Sequence, residues 1–173
     1  DYKRLFKSLT KKISLIILAN PNSPTGTIIP KKTMIKIFMK TKKLNIPLVI
    51  DEAYEGFYEK NYVEFVKKYK NLIITRTFSK SFGLAGLRAG YAVTNSNYAN
   101  LMNKFRPMYE INSISCLVIE YCLKNYSLVK RHIKEVKHSK NYLAKELKKL
   151  NIDFIDTYAN FFHIKLGKNN IAL

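Results

Sequence analysis

Short apolar runs, each cut off by polar turn formers, constrain this chain more than any other feature. Ile13-Ser14-Leu15-Ile16-Ile17-Leu18 stops just before Asn20-Pro21, Pro47-Leu48-Val49-Ile50 stops at Asp51, and Asn71-Leu72-Ile73-Ile74-Thr75-Arg76 runs into Thr77. Runs this short and this apolar predict strands buried on both faces. Between the first two, Pro30 opens a helix through Leu44 with Met34, Ile37 and Phe38 on its apolar side. Ala89 to Thr94 predicts a weaker fourth strand. Apolar strands separated by a helical segment predict an α/β fold, a mainly parallel sheet flanked by helices, in which ligands gather at the carboxyl ends of the strands.

From Asn97 onward the pattern is helical, with a break at Arg106-Pro107-Met108-Tyr109. Val129, Ile133, Val136, Leu143, Leu147 and Leu150 recur at three- and four-residue steps, so Ser127 to Leu150 reads as one amphipathic helix. Phe154 and the alternation around Phe161, Phe162 and Ile164 then predict the strands of a second unit. The chain opens at Asp1 without a methionine and enters a basic stretch, and it reads as the middle of something longer, incomplete at both ends.

The formal net charge of +19 raises nucleic acid or another polyanion as a partner. The lysines, however, spread along two helices that need a polar outer face, and no zinc-finger spacing, aromatic RNA-binding box or helix-turn-helix pattern accompanies them, so nucleic acid is not expected. No stretch approaches the roughly 20 apolar residues of a membrane span. A cytoplasmic protein without a membrane partner is the expectation. Cys116 and Cys122, six apart in an apolar helical pattern, read as buried free thiols. His132, His138 and His163 lack metal-ligand spacing, and no metal is expected.

The polar residues at the strand ends carry the chemistry. Lys80 follows a buried strand and precedes glycines that permit close backbone approach. A lysine so placed can form an imine with an aldehyde and act as a base once released. Thr77, Ser79 and Arg88 bracket it with two hydroxyls and a guanidinium, the donors that a phosphate dianion needs. Asp51 ends an apolar run, so its carboxylate needs a cationic partner, and a pyridinium nitrogen is one. Tyr54, three residues on, can set its hydroxyl against the ring's phenolic oxygen. Asn20, Asn22 and Ser23 lie on the Pro-rich loop after the first run, where an amide donor could bond the same oxygen; a turn role is the alternative. Glu52, Glu55, Glu59 and Glu64 read as a solvated acidic loop without chemistry.

Taken together, Asn20-Pro21-Asn22-Ser23-Pro24-Thr25-Gly26, Asp51-Glu52-Ala53-Tyr54 and Ser79-Lys80-Ser81-Phe82-Gly83-Leu84-Ala85-Gly86-Leu87-Arg88 resemble the fold-type I, pyridoxal 5′-phosphate (PLP)-dependent class I/II aminotransferases. Within these, the chain is most similar to the histidinol-phosphate subfamily, over about Ile13 to Gly167. The resemblance implies the aspartate aminotransferase-like fold, with PLP as cofactor, Lys80 as its Schiff-base lysine, Asp51 at the pyridine nitrogen and Tyr54 at the phenolic oxygen. It places Thr77, Ser79 and Arg88 on the phosphate and Asn160 near the substrate. The family usually has asparagine immediately before Pro-Thr-Gly, where this chain has Ser23, so Asn22 is favoured and Ser23 is the alternative. The implied division is 1–115 in the large PLP-binding domain, 116–150 as a connecting helical region and 151–173 as the start of a small domain. Implied too are transamination between an amino acid or amino-alcohol phosphate and a 2-oxo acid, and a homodimer. A PLP decarboxylase or lyase, and a non-enzymatic sensor domain of a DNA-binding regulator, are the competing readings.

Overall fold

The computed structural model describes residues 1–108 and 110–165. Tyr109, within the expected break, and the end of the expected 151–173 unit lie outside the described residues, as does Gly167. The basic opening stretch forms a helix of its own, α1 (Tyr2–Ser8). Asp1 Oδ1 accepts the Arg4 N–H at 3.1 Å to start it, and Leu5 and Phe6 lie against the core.

Strand β1 (Ile16–Ala19), helix α2 (Lys31–Leu44) and strand β2 (Leu48–Asp51) form a parallel crossover. A 3-10 helix, Val63–Lys67, leads to β3 (Leu72–Thr77), which pairs parallel to β2, and β4 (Gly90–Val93) closes the order β1-β2-β3-β4 in the antiparallel sense. The sheet is thus mostly parallel. Only from Ile16, opposite Leu48, does the first apolar run find a ladder partner, which is why β1 is shorter than the run that announces it.

Side chains alternate across a strand, so Ile16, Leu18, Leu48, Ile50, Leu72 and Ile74 share one face. They meet Met34, Ile37 and Phe38 of α2, with Tyr62, Val66 and Tyr69 from the β2–β3 connection. Phe38 sits among aromatic rings, its centroid 5.5 Å from Tyr62 and 5.3 Å from Tyr69. Burying such a ring contributes roughly 2–3 kcal/mol. Asn45 stops α2 in the left-handed region at φ 56°, and Lys42 and Lys43 lie in the last turn, where the helix dipole favours cations.

The opposite face departs from expectation. Ile17 is 65% exposed and Val49 half-buried, because no described helix lies over them; only Ile73 of that row is closed off. Beyond the sheet come α3 (Ser96–Asn103), α4 (Ser113–Lys124) and α5 (Tyr126–Lys149), the last of these the helix read from the apolar stripe. Ile133 of α5 packs beside Gly56 and Ser81. Helix α4 buries only Ser115 and Ile119. Cys116 is therefore exposed and Cys122 half-buried, which corrects the expectation of two buried thiols. Strands β5 (Phe154–Ile155) and β6 (His163–Ile164) make a separate antiparallel pair.

Gly90 stands where β4 runs closest to β3: a Cβ there would lie 2.6 Å from the Arg76 carbonyl oxygen. Gly90→Ala must part the two strands and is expected to cost about 2 kcal/mol in a urea titration of the full-length protein. A loss below about 0.5 kcal/mol would contradict this packing.

Candidate active site

The parallel register brings the candidate residues of β2 and β3 to one edge. Asp51 pairs with Thr75 across β2 and β3, and Thr77 follows two residues later on the same face. Asp51 Oδ1 accepts the Ala53 N–H at 3.0 Å and the Thr75 hydroxyl at 3.4 Å, while Oδ2 accepts no hydrogen bond among the described residues. The Ala53 contact turns the chain after β2 in the manner of an Asx-turn, and Tyr54 follows, buried. Lys80 is exposed, with Nζ 5.4 Å from the centroid of the Tyr54 ring. The turn carrying Lys80 is closed by the Gly83 N–H on the Lys80 carbonyl at 3.0 Å, with Gly83 at φ 71°.

Two hydroxyls meet just before the lysine. Thr77 Oγ1 lies 2.9 Å from Ser79 Oγ and accepts the Ser79 N–H at 3.1 Å. The Phe78 N–H donates to the Ala89 carbonyl at 3.1 Å, which ties the residue after Arg88 to the end of β3. Arg88 is a non-glycine residue in the left-handed region at φ 52°, a conformation that costs on the order of 1 kcal/mol and is held here by the surrounding turn. Its guanidinium is exposed and donates to the Ala85 carbonyl at 3.0 Å.

On the loop after β1 the polar residues divide. Asn20 is buried, and its Oδ1 accepts the Ile29 N–H at 2.7 Å, a structural role. Asn22 is half-buried and donates to Thr25 Oγ1 at 2.7 Å to close the loop. Ser23 is exposed, and its hydroxyl has no partner among the described residues. The hairpin unit locks onto this loop. A Cβ on Gly26 would lie 2.2 Å from Thr157 Cβ, the Tyr158 N–H donates to the Gly26 carbonyl at 2.8 Å, and His163 Nε2 meets the Pro24 carbonyl. Phe161 stands edge-on to Tyr54 at 5.5 Å, and Asn160, exposed, precedes it. Lys140 of α5 holds the unit through Asp156 Oδ1 at 2.9 Å and the Thr157 carbonyl. No spacing rule in the sequence points to the contacts of this unit with Pro24, Gly26 and Tyr54, which join residues more than a hundred positions apart.

One expectation is overturned. Glu52 is not solvated: it is 2% exposed and takes the Arg76 guanidinium on Oε2, at 3.0 Å from Nε and 2.7 Å from the terminal nitrogen, while Oε1 accepts the Tyr62 N–H at 2.7 Å. Glu55 is half-buried, 3.7 Å from the same guanidinium, whereas Glu59 and Glu64 are exposed as expected. Glu52 and Arg76 neighbour Asp51 and Thr75 in the chain, so strand alternation turns them to the core side. Burial pushes the Glu52 carboxyl above its ordinary pKa, against the hydrogen bonds and charge of Arg76. Glu52→Ala leaves Arg76 the longer Glu55 contact and the Tyr91 side chain and is expected to destabilise the full-length protein by about 3 kcal/mol in denaturant titration; a loss under about 1 kcal/mol would contradict that dependence.

The mostly parallel sheet flanked by helices is the architecture of the fold-type I PLP-dependent enzymes, and solved aminotransferases of that class share it. The histidinol-phosphate aminotransferase of Sinorhizobium meliloti, solved in complex with pyridoxal-5′-phosphate, superposes with a TM-score of 0.83 at 25% identity, over 97% of this chain and 46% of that one. That of Clostridium acetobutylicum gives 0.82 at 25% identity, over 92% and 49%. The family profile described as aminotransferase class I and II matches residues 1–173. The histidinol-phosphate aminotransferase of Clostridium novyi (strain NT) is 40% identical over 152 residues, 87% of this chain and 42% of its own length; histidinol-phosphate aminotransferase 1 of Idiomarina loihiensis is 34% identical over 171 residues, 96% and 46%. The chain belongs to the class I and II aminotransferase family, and it spans a little under half the length of these curated relatives.

Proposed function

We propose that this chain is the cofactor-binding portion of a PLP-dependent aminotransferase that moves an amino group between a histidinol-phosphate-like amino acid or amino-alcohol phosphate and a 2-oxo acid such as 2-oxoglutarate. The observation that carries the reading is the placing, at one sheet edge, of Lys80 over Tyr54, Asp51 with an unengaged Oδ2, and the Thr77–Ser79 hydroxyl pair, with the backbone next to Arg88 tied to the same strand end. These donors and acceptors fit PLP group by group: an anion for its ring nitrogen, a phenol for its phenolic oxygen, hydroxyls and a guanidinium for its phosphate, and an amine for its aldehyde.

When bound, PLP supplies an electron sink for charge that develops at the substrate α-carbon. The protein's part is binding, orientation and proton movement. Asp51 Oδ2 holds a proton on the ring nitrogen, and Tyr54 bonds the phenolic oxygen. On the loop after β1, Asn22 has spent one amide hydrogen on Thr25 and keeps a second, while the Ser23 hydroxyl is unengaged; either completes the contact to that oxygen. Thr77, Ser79 and Arg88 take the phosphate. Lys80 Nζ would hold the cofactor's aldehyde and, when free, would serve as the base that moves the substrate's α-proton. Asn160 is assigned to the substrate, a reading supported by its neighbour Phe161, which packs on Tyr54.

The relatives' names support histidinol phosphate as donor. The exposed apolar residues of α4, with Ile114 at 70% and Leu117 at 66%, support a homodimer of the full-length protein. No helix among the described residues is long and apolar enough to cross a membrane, which is compatible with the proposed cytoplasmic location. The separate β5–β6 pair supports a domain division of 1–115, 116–150 and 151–173. In the full-length protein loaded with PLP, borohydride is expected to fix the cofactor on the Lys80 peptide, as read by mass spectrometry, and Lys80→Ala is expected to yield no labelled peptide. A label on another lysine would refute the assignment.

A further inference from the structure

One side chain at the sheet edge is engaged with the site but has no part in the scheme above. In the run Leu72-Ile73-Ile74 the next residue of a buried strand would ordinarily be apolar, yet Thr75 follows, directly opposite Asp51. Its backbone already has a structural task, the Thr75 carbonyl accepting the Glu52 N–H at 2.9 Å. Its hydroxyl does something separate and donates to Asp51 Oδ1 at 3.4 Å, joining the Ala53 N–H at 3.0 Å on that same oxygen. We propose that Thr75 is a positioning residue: its hydroxyl and the Ala53 N–H pin Oδ1 of Asp51 from two sides, so that Oδ2 is presented in one orientation to a protonated ring nitrogen.

The inference rests on the PLP reading above and adds to it a determinant outside the three motifs. A carboxylate held by one donor can swing about its terminal torsion, which is broad and roughly two-fold. A second donor from the neighbouring strand removes that freedom, so less order is lost when the ring nitrogen arrives. Val is the informative replacement, since it keeps the β-branched shape and the strand propensity and puts a methyl group in place of the hydroxyl. Ser restores the hydroxyl without the methyl.

The test uses the full-length protein and PLP, in wild type, Thr75→Val, Thr75→Ser and Thr94→Val. Thr94 is the control because its hydroxyl also bonds within the sheet, to the Leu72 carbonyl at 2.9 Å, away from Asp51. Titration of the cofactor-free proteins gives the Kd for PLP, and the 15N chemical shift of the bound ring nitrogen reads the proton held against Asp51. Thr75→Val is expected to weaken PLP binding by about fivefold, the scale of one hydrogen bond to a charged group whose length is not optimal, and to move the nitrogen shift toward its unprotonated value. Thr75→Ser is expected to restore both, and Thr94→Val to change neither. If wild type binds PLP with a protonated ring nitrogen and Thr75→Val matches it in Kd and shift, the positioning role is overturned while the PLP reading stands. If Thr75→Val and Thr94→Val change alike, the effect is a general one on the sheet and the role is likewise overturned. If wild type takes up no PLP, both readings fall.

Discussion

The parallel pairing of β2 with β3, with Asp51 opposite Thr75, is the constraint on which the rest depends. A shift of one residue would turn Asp51 into the apolar core and Glu52 out of it, because side chains alternate at every step. The register holds since Leu48, Ile50, Leu72 and Ile74 must all reach Phe38 and its aromatic neighbours on the same side. The burial of apolar surface against α2 thereby fixes where a carboxylate, two hydroxyls and a lysine stand on the other side. The sheet's core and its candidate site are two faces of one ladder.

The ion pair of Glu52 with Arg76 follows from the same alternation. Two charges sent toward the core need each other, and the Tyr62 N–H satisfies the remaining oxygen of Glu52. The pair lies one residue from Asp51 on β2 and between Thr75 and Thr77 on β3, so it braces both strands where they deliver their polar residues. A second brace comes from far along the chain. Thr157 fills the space over Gly26, and Phe161 closes on Tyr54, tying the hairpin unit to the loop after β1 and to the aromatic ring beneath Lys80.

What the sequence made legible is local. Strands ended by Asp51 and Thr77, a helix opened by Pro30 and a long amphipathic helix could be read because periodicity and turn chemistry act over a few residues. Asp51, Tyr54, Thr77, Ser79, Lys80 and Arg88 all lie within a few residues of strand ends, which a parallel sheet must gather; of these the structure joins Lys80 to Tyr54 and Thr77 to Ser79. Burial that depends on partners distant in the chain was not legible. Glu52 sits in an acidic stretch and becomes buried only because Arg76 waits on the next strand. Ile17 and Cys116 sit in apolar patterns yet are exposed, since no described element covers that side of β1 or that face of α4. The Thr75 hydroxyl gave no signal either, because its meaning comes from the register and not from its neighbours in sequence.

The most direct measurement is a single half-reaction: the full-length protein loaded with PLP, mixed with histidinol phosphate and no 2-oxo acid, with the products counted per protomer. The account predicts one equivalent of the corresponding carbonyl compound, after which the reaction stops until 2-oxoglutarate is added and leaves as glutamate. With glutamate as the sole donor, one equivalent of 2-oxoglutarate and no carbon dioxide should appear. Carbon dioxide released with turnover, or no carbonyl product from either donor, would contradict it.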